Sequence, residues 1–114
     1  MSSPTNEFCD ELENFIDAFQ NIFPNNKNID IIKNKMSLLR KSNPKLMVQT
    51  YLHMFTPYID SIVHKNDSFI TEYKPLNNGD LKDEIFKLWS ELSDNNKETS
   101  WIYLQRLLYL ASKV

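Results

Sequence analysis

The chain has 114 residues, 41% of them apolar and 25% charged, and its 13 basic and 15 acidic side chains leave a net charge of −2. That is the size and composition of one globular domain, and a charge so near zero selects neither nucleic acid nor a membrane as partner. One cysteine, Cys9, allows no internal disulfide or multi-thiolate metal site, and one glycine, Gly79, is too few for β-hairpins or phosphate-cradling loops.

The expected fold is therefore all-α: a compact bundle of five or six helices in a single domain, 1–114, with residues 1–5 as a flexible end. The first helix is expected from Asn6 to Ile22, with Phe8, Leu12, Phe15, Ile16, Phe19 and Phe23 on one face. Glu7, Asp10, Glu11 and Glu13 suit its positive end, and Pro24 follows its close. The second runs from Ile29 to Lys41, capped by Asn28, with Ile32, Met36 and Leu39 inward. Asn43 and Pro44 open a third, carrying Leu46, Met47, Tyr51, Leu52, Met54 and Phe55.

Thr56–Pro57 breaks that helix, because proline lacks the amide that bonds back one turn. A short fourth helix should turn Tyr58, Ile59, Ile62 and Val63 inward. The non-periodic stretch KNDSFITEYKPLNNGD is expected as a loop pinned by Phe69 and Tyr73. Asp80 starts a fifth helix with Leu81, Ile85, Leu88, Trp89 and Leu92 as its stripe. The turn SDNN leads to the last, from Asn96 to Ser112.

This last helix is apolar on nearly every side, as a helix surrounded by neighbours would be. It is expected at the centre of a core built on Phe15, Phe19, Leu52, Phe55, Ile62, Ile85, Leu88, Trp89, Trp101, Leu104 and Leu108. One side is also a candidate partner surface. Tyr103, Arg106, Leu107, Tyr109 and Leu110 form it, tyrosine and arginine being enriched at interface centres.

Signatures of catalysis are missing from the sequence. His53 and His64 are too far apart along a helix, about 16 Å, to share a metal. Cys9 lies among acids that raise a thiol pKa, and Asp83–Glu84 and Asp10–Glu11 read as solvated helix-start charges. No enzymatic activity, cofactor or metal is expected.

Charge is unevenly spread. Residues 7–17 hold five acids and no base, while residues 27–45 hold six bases and one acid. Within the second stretch Lys33, Lys35, Arg40, Lys41 and Lys45 form a candidate phosphate patch, the basis of an alternative function as a nucleic-acid-associated factor. An acidic helix followed by a basic one also suggests a charge-complementary hairpin.

The segments FTPYIDSIVHKNDSFI and FKLWSELSDNNKETSWIYLQRLLYLA carry a further pattern. It comprises Pro57-Tyr58, Asp67 with Phe69, Leu88-Trp89, Asn95-Asn96-Lys97, and Trp101 with Tyr103-Leu104-Gln105. Over about sixty residues this resembles short α-helical proteins of nucleocytoplasmic large DNA viruses. The resemblance implies a viral protein in infected-cell cytoplasm or in the particle, and no mechanism. The sequence-based expectation is a non-enzymatic intracellular protein acting through protein–protein interaction, as a virion-associated structural or host-interaction protein, in the form of a homodimer. No membrane and no small-molecule substrate are expected.

Overall fold

The computed structural model describes residues 3–72 and 79–114, and among them every regular element is helical. The α-helices are α1 (Pro4–Ile22), α2 (Lys27–Ser42), α3 (Pro44–Phe55), α4 (Ile59–Val63), α5 (Ser68–Glu72), α6 (Leu81–Leu88) and α7 (Asp94–Ala111). Two single 3₁₀ turns, Thr56–Tyr58 and Trp89–Glu91, follow α3 and α6. The Cα radius of gyration is 13.4 Å.

Capping sets most of the boundaries. The Ser3 hydroxyl accepts the Asn6 amide and Pro4 takes the first turn, so residues 3–5, expected as a loose end, start α1. The cap of α2 is Asn26 and not Asn28, its Oδ1 accepting the Ile29 amide. Asn28 instead donates its side-chain amide to Glu84 on α6 at 3.2 Å. Asn43 precedes Pro44 as expected but makes no side-chain cap bond. Asp80 caps α6 through the Asp83 amide at 2.8 Å, and Ser93 caps α7 through the Asn96 amide.

The α1–α2 hairpin is charge-complementary. Arg40 reaches Asp10 at 2.7 Å and Glu13 at 3.0 Å, and Lys33 reaches Asp17 at 2.8 Å. These partners hold the Lys33 and Arg40 pKa values above their ordinary positions, first through the hydrogen bonds to Asp17 and Asp10. Such pairs are half-exposed and worth little individually. Arg40→Met should cost about 1 kcal/mol in urea unfolding at low salt and less at high salt. A loss several times larger would mark the pair as a structural keystone.

The last helix meets neighbours around most of its circumference but is not surrounded as expected, because Glu98, Ile102, Arg106 and Tyr109 form an exposed stripe along it. On one side α1 stacks Phe15 on Tyr103 at 5.0 Å and pairs Glu11 with Arg106 at 2.8 Å. From α3, the buried Tyr51 hydroxyl donates to the Leu104 carbonyl at 3.0 Å. The turn after α6 sets Trp89 edge-on to Trp101 at 4.8 Å. α4 takes a fourth side, through Gln105. Of the expected core, all but Leu52 and Leu108 are buried; those two are half-buried, and Leu107 is fully buried in their place.

Two further expectations change. The segment after α4 is not all loop: α5 forms within it, and Phe69 stacks on Tyr58 at 4.8 Å with Phe86 edge-on to both. Asp67 accepts from Trp89 Nε1 at 3.1 Å, a second pin. Tyr73, the other expected anchor, lies outside the described residues. Asp83 and Glu84, expected in solvent, are each only 5% exposed, because α2 lies over the start of α6. Among the described residues no helix is long and apolar enough to cross a membrane.

Candidate functional site

Among the described residues an apolar groove lies between α4 and α7. Its origin is the break at Pro57. The 3₁₀ turn over Thr56–Tyr58 advances the chain about 120° per residue in place of about 100°. Over three residues the azimuth shifts by about 60°, so α4 does not continue the inward stripe of α3. Only Ile62 of α4 is buried; Ile59 and Val63, expected inward, are exposed.

The end of α4 is tied down on both sides. Gln105 Nε2 donates to the Ile62 carbonyl at 3.0 Å and to that of Val63 at 3.3 Å, satisfying carbonyls that a helix end leaves open. Lys65 takes a left-handed φ of 52°, and the Asn66 amide returns to the Ser61 carbonyl at 2.8 Å. This is a Schellman closure with lysine where glycine is usual. The Lys65 ammonium pairs with Glu98 of α7, holding the corner against that helix.

The resulting groove encloses about 460 Å³ between Leu52 of α3, Ile59 and Val63 of α4, and Leu108, Tyr109 and Ala111 of α7. Gln105 and Ser112 also line it. Among the described residues no Asp, Glu, His, Lys, Arg or Cys lines it. The Ser112 hydroxyl is spent on the Tyr109 carbonyl at 2.5 Å. Such a lining offers area and shape for an apolar guest, with no acid, base or activated nucleophile. Tyr109 stands at the rim, 63% exposed, with Lys113 over its ring at 5.0 Å.

The five α7 residues expected at a partner surface separate onto two sides. Tyr103, Arg106, Leu107 and Leu110 follow the three- and four-residue steps of one face, and that face meets α1. Leu107 is 0% exposed and has no surface to offer a partner; Leu110 is half-buried. Tyr109 alone stands at the groove. The groove's other walls, Leu52, Ile59 and Val63, are legible only as apolar periodicity, and for Ile59 and Val63 the sole sequence signal of an outward turn is Pro57.

The candidate phosphate patch is likewise divided. Lys33 and Arg40 turn to the acids of α1, while Lys35, Lys41 and Lys45 remain exposed. His53 and His64 are both exposed, and among the described residues no three His, Cys, Asp or Glu side chains are grouped to hold a metal. Cys9 is buried, its thiol directed at the Pro44 carbonyl. Burial is the main reason its pKa is raised; Glu13 and Asp10 add to the rise and Arg40 opposes it.

No family model matches the chain, and neither a curated protein nor a solved structure is similar to it.

Proposed function

We propose that the protein is a non-enzymatic interaction module whose α4–α7 groove mediates self-association. The observation that carries this reading is the juxtaposition of Tyr109, 63% exposed, with the apolar groove of about 460 Å³ beside it. A two-fold contact sets one surface patch against itself, so it needs projection and recess side by side on the same face. Tyrosine in a desolvated recess is also a residue type that dominates binding energy. A lining whose polar side chains are only Gln105, Tyr109 and Ser112 supports binding over turnover. With the resemblance to short helical proteins of large DNA viruses, the setting for this role is infected-cell cytoplasm or the virus particle.

Light scattering across a concentration series tests the reading. The expected result is a mass approaching two chains as concentration rises, with Tyr109→Ser and Val63→Asp held at one chain. Both positions are exposed, so the variants should melt as the parent does. A parent that stays monomeric throughout, or dimers indifferent to both substitutions, would exclude this use of the groove.

A further inference from the structure

A second exposed surface lies on the opposite flank of α2 from its ion pairs with α1. At about 100° per residue, Lys27, Ile31, Asn34, Lys35, Leu38 and Lys41 fall within about a third of the helix circumference. Ile31 is 50% exposed and Leu38 66%, the second larger than any other exposed aliphatic side chain among the described residues. At the corner into α3 the exposed pair Lys45 and Leu46 extends this composition. None of Lys27, Lys35, Lys41 and Lys45 has an ion-pair partner among the described residues, whereas Lys33 and Arg40 on the inner flank do. Asp30, the stretch's one acid, is engaged by Gln20 at 2.7 Å.

The charge of the whole chain conceals this face. Fields in physiological salt fade over about 8 Å, so an approaching surface senses four lysines and not the net −2. The complement is therefore anionic, and the side chains between the lysines narrow its class. Lysine and the Asn34 amide suit nucleic-acid phosphates as well. But reading or stacking on bases draws on arginine and aromatic groups, and the large side chains between the lysines here are aliphatic. Protein interfaces favour tryptophan, tyrosine and arginine and are depleted in lysine, the reverse of this face. Lysine beside exposed leucine and isoleucine on a convex helix suits an anionic bilayer. The aliphatic tips enter the headgroup boundary while the lysine stems lie along it and their ammonium groups meet phosphate.

We propose that the α2 face and the α2–α3 corner dock the protein peripherally on anionic lipid, with Ile31 and Leu38 as the inserted side chains. This surface shares no residue with the α4–α7 groove, so docking and self-association are separable. It involves no spanning helix.

The experiment is partitioning of the full chain onto vesicles of phosphatidylcholine alone and of phosphatidylcholine with about one-third phosphatidylserine. Binding is expected on the second only, falling steeply as salt rises. Lys35→Gln with Lys41→Gln should weaken it about 25-fold, about fivefold for each charge. Leu38→Asn should weaken it about tenfold. Because Cys9 is fully buried, Leu38→Cys can be labelled at one site with a polarity-sensitive dye. Its emission should shift to the blue on anionic vesicles. Equal binding to both vesicle types, no binding to either, or a dye that stays at its aqueous wavelength would each overturn the proposal. So would tighter binding to duplex DNA or to an acidic amphipathic peptide than to the anionic vesicles.

Discussion

A chain ending at Gln105 should show no cooperative melting transition. Removing residues 106–114 deletes Leu107, fully buried, together with Ala111, the half-buried Leu108 and Leu110, and the Arg106–Glu11 pair. Losing one buried leucine side chain costs about 2–5 kcal/mol. A domain of this kind has about 5–15 kcal/mol in total. The deletion also uncovers one face of α1, the longest partner of α7 in the core, so the remaining helices have nothing to close against. Far-UV circular dichroism and calorimetry on the truncated chain test this. A second truncation, removing only the exposed residues 112–114, should melt within a few degrees of the parent. A cooperative transition in the shorter chain would mean that the first half of α7 completes the core without the second.

Alkali should destabilise the fold from about pH 9 upward, and Tyr51 should account for a separable part of the loss. Burial is the cause of the raised Tyr51 pKa, and the hydroxyl donates to the Leu104 carbonyl, a bond that the phenolate could not make. The unfolded chain releases this proton near pH 10, while the folded chain retains it to higher pH. Its contribution is thus fully present below about pH 10 and is lost as pH climbs beyond, at about 1.4 kcal/mol per pH unit. The Cys9 thiol, raised chiefly by burial, works in the same direction from a lower starting point. Lys33, whose pKa is raised by Asp17, also loses its contribution above its unfolded value, so the parent's profile alone is composite.

Tyr51→Phe isolates the phenol. At neutral pH it should cost about 1 kcal/mol, the net worth of one hydrogen bond. Above pH 10 its melting temperature should fall less steeply than the parent's, and the two curves should converge. Parallel curves would show that the hydroxyl ionises as readily in the fold as outside it.

These expectations draw unequally on sequence and on coordinates. The helical class followed from one glycine and from stripes such as Phe8–Leu12–Phe15–Phe19, because a helix fixes which residues share a face. Hairpin pairing of the acidic and basic stretches was legible for the same reason. Asp10 and Glu13 lie one turn apart, and a single arginine on the next helix reaches both. Of the candidate site only Tyr109 was visible beforehand. Ile59 and Val63 are expected inward because they share the apolar spacing of Ile62 in the short helix restarted after Pro57. The tighter turn at the break instead sets the azimuth of that helix and leaves only Ile62 covered.

Three decisions belonged to tertiary structure. On a helix apolar all round, nothing local separates Leu107 from Leu108; the approach of α1 buried the first and left the second beside the groove. Three asparagines, Asn25, Asn26 and Asn28, stand at the start of α2, and Asn26 took the capping role while Asn28 reached Glu84 on a helix 56 positions away. Asp83 and Glu84 looked solvated because a helix start is normally open, and α2 covered it. Local sequence determined what each segment would become, since helix propensity, caps and stripes act within a turn or two of backbone. Which side of each segment remained exposed was decided only when the helices met, because burial depends on neighbours distant in sequence.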